Sequence, residues 1–478
     1  MNTLTIIWIA IPFFIGFNIY LLPQFDRYLA LGVCIISGVY ALQIFNYSSP
    51  INLNLLDNFG VILVADRLSS FFILTNSIVT AAVIFYCWNL EKTAFFYTQL
   101  IILHGSVNAV FVCADFISLY VALEVIGIAA FLLIAYPRSD RSIWVALRYL
   151  FVSNTAMLFY LVGAILVYQT HHSFGFAGLK GSPPEAIALI FLGLLTKGGI
   201  FISGLWLPLT HSEAETPVSA MLSGVVVKAG VFPLVRCALM IEELDPIIRL
   251  FGMGTALLGV GYAIFEKDSK RMLAFHTVSQ LGFILAAPKV GGFYALTHGL
   301  VKSALFLISG VLPSRNLKEL KDQPINTPIW IALVVASLSI SGFPLLSGFG
   351  AKVLTMKNIL SWQEIGMNLA AFGTAISFAK FFFLPHDSQT GKAKVQSGFW
   401  AAMALLLGGL VVANVFYTQA YTVTNSIKPL ATIFLGWVAY FLIFQRSIIK
   451  LPRVIEQFEH LIGGMSLMLI LLFWMVFS

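Results

Sequence analysis

The chain of 478 residues is 59% hydrophobic and only 10% charged, with a mean hydropathy of +0.91, which lies outside the range of a soluble globular domain. Its formal charge of +7 comes from Lys and Arg residues scattered singly in loops, without the basic stripe and interleaved aromatics of a nucleic-acid surface. Composition therefore specifies an integral membrane protein.

Apolar runs recur from end to end, about 14 to 16 of them, each long enough to cross a ~30 Å hydrocarbon core at 1.5 Å per residue. The alternation of a membrane β-barrel is absent, so the expected fold is all-α and polytopic. The first run, "LTIIWIAIPFFIGFNIYLL", has no basic segment before it and no small-residue cleavage site after it, and reads as a transmembrane helix rather than a signal peptide. Residues 1–94 are expected to form N-terminal helices, 95–245 and 246–390 two similar halves of a central bundle, and 391–478 closing helices. The longest polar connections, near 169–183, 313–327 and 446–459, are too short for a soluble domain.

Lys and Arg cluster in loops that fall on one side if the spans alternate: Arg27, Lys92, Arg138/Arg141, Lys267/Lys270/Arg271, Arg315/Lys318/Lys321, Lys392/Lys394 and Arg446/Lys450/Arg453. The loops at 47–60 and 207–216 hold neither residue and are expected on the other side, with the N-terminus outside. Cys34, Cys87, Cys113 and Cys237 lie apart in or beside apolar runs, as packing residues do, with neither a disulfide nor a metal-ligand spacing among them.

The chemistry lies in charges placed within apolar runs, each costing at least ~2.5 kcal/mol at the bilayer centre unless it faces protein or water. Glu124, in "FISLYVALEVIGIAAFLLIAY", is the first; it either serves proton chemistry or forms a helix-packing ion pair. Lys197, in "GLLTKGGIFISGLW", is followed by Gly198 and Gly199, which weaken a helix by about 1 kcal/mol each. A broken intramembrane helix is tolerated where its backbone lines water or protein, so this lysine is placed to exchange a proton. Lys228 follows in "PVSAMLSGVVVKAGVFPLVR", too deep for its stem to snorkel easily.

His276, just beyond Lys270 and Arg271, is expected near the headgroups or at a proton inlet, and His171 and His172 in a solvated loop. His298 and Lys302 share one helical face at i and i+4 and suit a proton relay. Lys352 follows Gly342, Pro344, Gly348 and Gly350, a second break with a lysine. Lys380 lies close to Pro385, so a relay role and snorkelling both remain open. The recurrence of a break with a lysine in each half is a transporter signature. No nucleotide, metal or nucleophile motif occurs, so no cofactor or metal is expected and the chain alone is not read as an enzyme.

The segments "ADRLSSFF", "DFISLYVALEVIGIAAFLLI", "LLTKGGIFISGLWLPLTHSEAETPVSAMLSGVVVKAG", "KDSKRMLAFHTVSQLGFI", "HGLVKSALFLISG" and "SISGFPLLSGFGAK", in this order, resemble the proton-translocating antiporter-like membrane subunits shared by respiratory complex I and the Mrp multisubunit cation/proton antiporters. The resemblance implies two inverted repeats, each with a broken helix. It also implies a hydrated mid-membrane proton path through Glu124, Lys197, Lys228, His298, Lys302 and Lys352; Lys380 is a candidate from its own position alone.

Within that family "AFHTVSQLGF" and "LPRVIEQFEHLIGGMSL" look most like Mrp D subunits. The implied partners are other subunits of such a complex, with H⁺ and Na⁺ as transported ions. The implied location is a bacterial-type plasma membrane, or a thylakoid membrane for a cyanobacterial source. The alternatives are a proton-pumping subunit of a complex I-type quinone oxidoreductase and a non-transporting scaffold. Three departures stand out: Gly204 where the family often has histidine, Arg67 beside Asp66 where glycine is common, and Lys352 where some relatives have glutamate.

Overall fold

The computed structural model describes residues 2–56, 60–388, 395–415, 417–445, 449 and 451–477. Lys392, Lys394, Arg446 and Lys450 of the basic loops lie outside the described residues. The chain is a helical membrane bundle: α1 (Asn2–Leu21), α2 (Asp26–Asn46), α3 (Arg67–Cys87), α4 (Ala94–Val110), α5 (Phe116–Ile134), α6 (Asp140–His171), α7 (Pro184–Lys197), α8 (Leu207–Glu213), α9 (Thr216–Met221) and α10 (Lys228–Met240). There follow α11 (Asp245–Phe265), α12 (Ser269–Ala286), α13 (Gly291–Ser309), α14 (Thr327–Ser341), α15 (Ser347–Asn358), α16 (Glu364–Phe382), α17 (Ser397–Val415), α18 (Val423–Ala439) and α19 (Phe458–Phe477).

Twelve helices among the described residues are long and apolar enough to cross a membrane, or up to 13 spans with the bent pair, fewer than the sequence suggests. The difference lies in α4 and α14, which are apolar but short, and in α12, whose run is interrupted by Lys270, Arg271, His276 and Gln280.

Helix starts are fixed by short acceptors on the preceding residue. Asp66 accepts from Ser69 N at 2.9 Å, Asp115 from Ser118 N at 2.7 Å, and Asp268 from Arg271 N at 2.9 Å. Two strands unforeseen in the sequence, β1 (Ile51–Leu56) and β2 (Gly60–Ala65), form an antiparallel hairpin with Ile51 opposite Ala65. Asp115 also accepts from Ile62 N at 2.8 Å, so one carboxylate caps α5 and holds the hairpin over it.

Ion pairs identify one face of the bundle. Lys92 meets Glu215 at 2.7 Å, Arg141 meets Glu213 at 3.2 Å, and Arg271 meets Glu456 at 2.6 Å. The 207–216 turn therefore lies on the basic face, not the opposite one. Its lack of Lys and Arg reflects its role as the acidic partner of Lys92 and Arg141. The hairpin sits on the other face, where Leu63 bridges to Cys113 and Asp115 to Gly175, as the 47–60 loop was expected to.

Asp66 does not use Arg67. Arg236 grips it with both terminal nitrogens, at 2.9 and 3.1 Å, while Arg67 lies over the Phe45 ring at 4.8 Å. Burial alone would raise the Asp66 carboxyl, but Arg236 and Ser69 overcome it and hold it below the usual aspartate range. The four cysteines are buried free thiols.

The centre of the bundle is where the lysines are. An 18-residue stretch of the α9–α10 span and one of the α13 span are buried throughout, against 17% of the corresponding stretch of α18. A cation on α10 or α13 thus faces only protein, the environment in which an intramembrane charge persists.

Candidate functional site

The first break is built from glycine. α7 ends at Lys197, Gly199 takes φ +70°, and the following segment to Glu213 continues the crossing after a 40° bend. A β-carbon on Gly230 would lie 2.3 Å from Gly198 N, so the break is packed directly against α10. One on Gly204 would lie 2.2 Å from the Gly199 carbonyl, so no side chain fits at this position.

Lys197 is buried and donates to Ser153 Oγ of α6 at 2.5 Å. Its Nζ lies against α5, 3.1 Å from where a Gly127 β-carbon would stand, and Glu124 shares that face of α5 at i−3. The Glu124 carboxylate acts on Lys197 electrostatically, yet no ion pair joins them among the described residues. Glu124 is half-buried, and its Oε1 is buried without a hydrogen-bond partner.

Lys228 follows a feature the sequence reading missed, a π-helical turn over Leu222–Val226 between α9 and α10. Such a turn widens the helix and turns carbonyls away from their usual donors. Lys228 uses them, donating to Gly224 O at 2.6 Å and Ser223 O at 3.2 Å. With 0% exposure, it does not snorkel. The Ser223–Gly224 pair was the available signal.

Across the interface Lys228 Nζ approaches Gly299 of α13, the neighbour of His298. His298 is buried, and neither ring nitrogen has a hydrogen-bond partner among the described residues. The charges of Lys228 and Lys302 both act on it. Lys302 is fully buried and donates to Leu273 O of α12.

His276 is fully buried on α12, with its ring 4.6 Å from Phe378 and both ring nitrogens without a hydrogen-bond partner among the described residues. It does not reach the headgroups as the sequence suggested, because α12 packs inside the bundle along its whole length. Lys302, Lys380 and Lys352 all act on it. His171 and His172 are exposed as expected.

The second break separates α14 from α15. Gly342 is left-handed at φ +86°, and Lys352 donates to Ser341 O, the last carbonyl of α14, at 3.2 Å. A small cavity bordered by Gln280, Tyr294, His298, Ser339 and Ala351 lies between His298 and this break. Tyr294 donates to Gln280 Oε1 at 2.6 Å on its wall. Lys380 donates to Ala263 O, Ile264 O and Glu266 O at 2.7–3.1 Å, capping the end of α11, and borders an opening at the basic face with Glu266, Lys267 and Lys321.

The structure thus assembles Lys228, His298, Lys302 and His276 at the bundle centre, puts Lys197 with Glu124 at one end, and Lys352 and Lys380 at the other. It adds His211 of α8, fully buried, with the backbone of Leu207 and Leu222 beside its ring and the charges of Lys302 and Lys270 near it. His211 was hidden by placing its segment in a loop. The Thr196, Ser337, Ser339 and Ser347 hydroxyls are buried without hydrogen-bond partners among the described residues, and buried polar groups of this kind are where water binds inside proteins.

Comparison with known proteins agrees with the fold. A family described as NADH:quinone oxidoreductase/Mrp antiporter, transmembrane, matches residues 113–377. The D subunit of the Na⁺/H⁺ antiporter of Alkalihalophilus pseudofirmus is 27% identical, over 85% of this chain and 91% of its own. An NAD(P)H-quinone oxidoreductase chain 4-2 of Synechocystis is 28% identical, over 77% of this chain and 75% of its own. Among solved structures, a chain of the Mrp complex from Dietzia sp. superposes with a TM-score of 0.75 at 19% identity, covering 96% of this chain and 98% of that one.

Proposed function

The chain belongs to the NADH:quinone oxidoreductase/Mrp antiporter transmembrane family, and from that premise we propose that it is the proton-translocating D-type subunit of a multisubunit Na⁺/H⁺ antiporter. The observation that carries the reading is the row of buried lysines, with His298 among them, from Lys197 through Lys228, His298, Lys302 and Lys352 to Lys380.

Each lysine head lies against a carbonyl or hydroxyl that accepts from its charged form. Protonation can therefore move from one to the next through bound water without leaving a bare cation in an apolar medium. Glu124 sits at the half-exposed end of the row, where a neighbouring subunit of the complex would reach it. Its carboxylate attracts the Lys197 cation, so withdrawing that attraction drives the proton toward Lys228. His298 then passes it between Lys228 and Lys302, since a neutral imidazole both accepts and donates. The Gln280 cavity carries it to Lys352, and Lys380 delivers it to the basic face beside Glu266. We read residues 95–245 and 246–390 as the two inverted repeats of this path, in a bacterial-type plasma membrane.

A second reading, a proton-pumping subunit of a quinone oxidoreductase, uses the same path and is favoured by the similarity to the Synechocystis chain. A scaffold without transport is the third. Inverted vesicles containing the assembled complex decide among them. Glu124→Ala or Lys197→Ala should abolish Na⁺-driven proton movement, whereas unchanged transport with intact assembly leaves the scaffold. Proton movement that requires NADH and not Na⁺ selects the oxidoreductase.

A further inference from the structure

At the basic face five arginines, Arg141, Arg148, Arg271, Arg315 and Arg453, border an open groove of about 370 Å³. Four are engaged: Arg141 by Glu213 at 3.2 Å, Arg271 by Glu456 at 2.6 Å, Arg315 by Asp268 at 3.0 Å and Arg453 by Glu266 at 3.5 Å. Arg148 has no carboxylate within ion-pair distance among the described residues. Its Nε and Nη2 are buried and lack any hydrogen-bond partner there, which is costly for a guanidinium. Glu456, the carboxylate that acts on it, is already held by Arg271. Trp144 forms a shared wall, with the Arg141 and Arg148 guanidinium groups 5.1 and 5.5 Å from its ring centre.

The groove continues into an apolar strip. Trp144, Leu147 and Phe151 follow one another along the outer side of α6 at helical spacing, on the face that carries Arg148. Phe151 meets Phe458 of α19 edge-on at 6.4 Å, and both remain open to the surroundings, 60% and 42% exposed. Arg148 lies about two turns inside α6 from Asp140, a depth of ~12 Å at 1.5 Å per residue. A guanidinium with free donors above a membrane-facing aromatic strip calls for an amphipathic anion.

We propose that this groove binds an anionic phospholipid. Its phosphodiester pairs with the Arg148 guanidinium, which borders the groove and on binding turns its buried Nε–Nη2 edge toward two phosphate oxygens. Its acyl chains lie over Leu147, Phe151 and Phe458, filling the seam between α6 and α19. The site leaves the proton row untouched and stands whether or not the chain translocates protons. A free phosphate would use the arginine but not the strip.

The test is native mass spectrometry of the assembled complex in mild detergent with added dioleoyl-phosphatidylglycerol or dioleoyl-phosphatidylcholine. Phosphatidylglycerol should be retained over phosphatidylcholine, and Arg148→Gln should weaken its retention about fivefold, the effect of one cationic side chain at an anionic surface. Arg148→Lys should keep part of the retention and Phe151→Ala should lower it, so the test does not hang on one variant assembling. Equal retention of both lipids, or unchanged phosphatidylglycerol retention in Arg148→Gln, overturns the proposal. So does displacement of the lipid by millimolar inorganic phosphate with Phe151→Ala neutral, which marks a simple anion site. Crosslinking of a photoreactive residue at Trp144 to another subunit, with no lipid retained, also overturns it and assigns the groove to a protein partner.

Discussion

Lys228 folds back onto its own helix and donates to the carbonyl of Gly224 at 2.6 Å, an acceptor made available by the π-helical turn that precedes it. The lysine and the turn act as one unit. Lys228→Met should leave the complex assembled, since a similar volume is kept, and lower proton transport at least about a hundredfold, the smallest effect expected of a proton-transfer group. Fluorescence quenching in inverted vesicles, normalised to assembled complex, reads this directly. Gly224→Ala attacks the turn itself: its β-carbon would stand 2.1 Å from Ser303 Oγ. Loss of thermal stability of about 1–3 kcal/mol should follow, as for other overpacked core sites.

Two buried histidines make opposite forecasts. The His298 ring has no hydrogen-bond partner among the described residues, whereas His104 of α4 is held by Thr80 at 3.1 Å, Ser37 at 2.9 Å and Asn108 at 3.0 Å. His298→Gln should melt close to the parent temperature and transport protons at least about a hundredfold more slowly. His104→Ala strands its partners and should cost about 1–3 kcal/mol of stability while the surviving complex transports normally. The reverse pattern would place the proton row in the N-terminal helices instead.

The second break constrains Gly342. At φ +86° any other residue is strained, and a β-carbon would also lie 2.8 Å from Lys352 Cδ. Gly342→Ala should therefore destabilise by about 1–3 kcal/mol, seen as a lower melting temperature in detergent. It should also slow transport, because the Lys352 stem must move to make room.

Acid should loosen the tie between α3 and α10. Asp66 is held below the ordinary aspartate value by Arg236 and Ser69 against the opposing effect of burial. A carboxylate lowered in the folded state contributes stability that is fully present above its unfolded value, near 3.8, and is lost as pH falls through the folded one. Melting temperature should thus fall with pH below about 4, the unfolded range of aspartate, and Asp66→Asn should remove part of that slope while lowering stability at pH 7. A slope identical in parent and variant would remove Asp66 as its source.

Much of the site was legible because charge inside an apolar run has few explanations. Glu124, Lys197, Lys228, His298, Lys302 and Lys352 each stood out against their neighbours, and the glycines beside Lys197 and Lys352 announced both breaks. What escaped notice depended on which side of the membrane a segment lies. The 207–216 turn lacks Lys and Arg because it supplies Glu213 and Glu215 to Arg141 and Lys92, and the same misplacement concealed His211. The π-helical turn escaped because one extra residue per turn does not alter hydrophobic periodicity over so short a stretch. The pairing of Asp66 with Arg236 instead of Arg67 is a long-range contact that adjacency in sequence cannot foresee.

The close approach of Gly204 to the Gly199 carbonyl bears on how this lineage can change. Where a β-carbon has no room, placing histidine at position 204 is not a single mutational step: it requires the backbone of the break to have moved first. Descendants of this chain can gain or lose ionisable groups at Lys352 or Lys380 one codon at a time. At the first break, by contrast, a glycine once adopted acts as a ratchet, and divergence in proton stoichiometry between lineages should accumulate at the far end of the row.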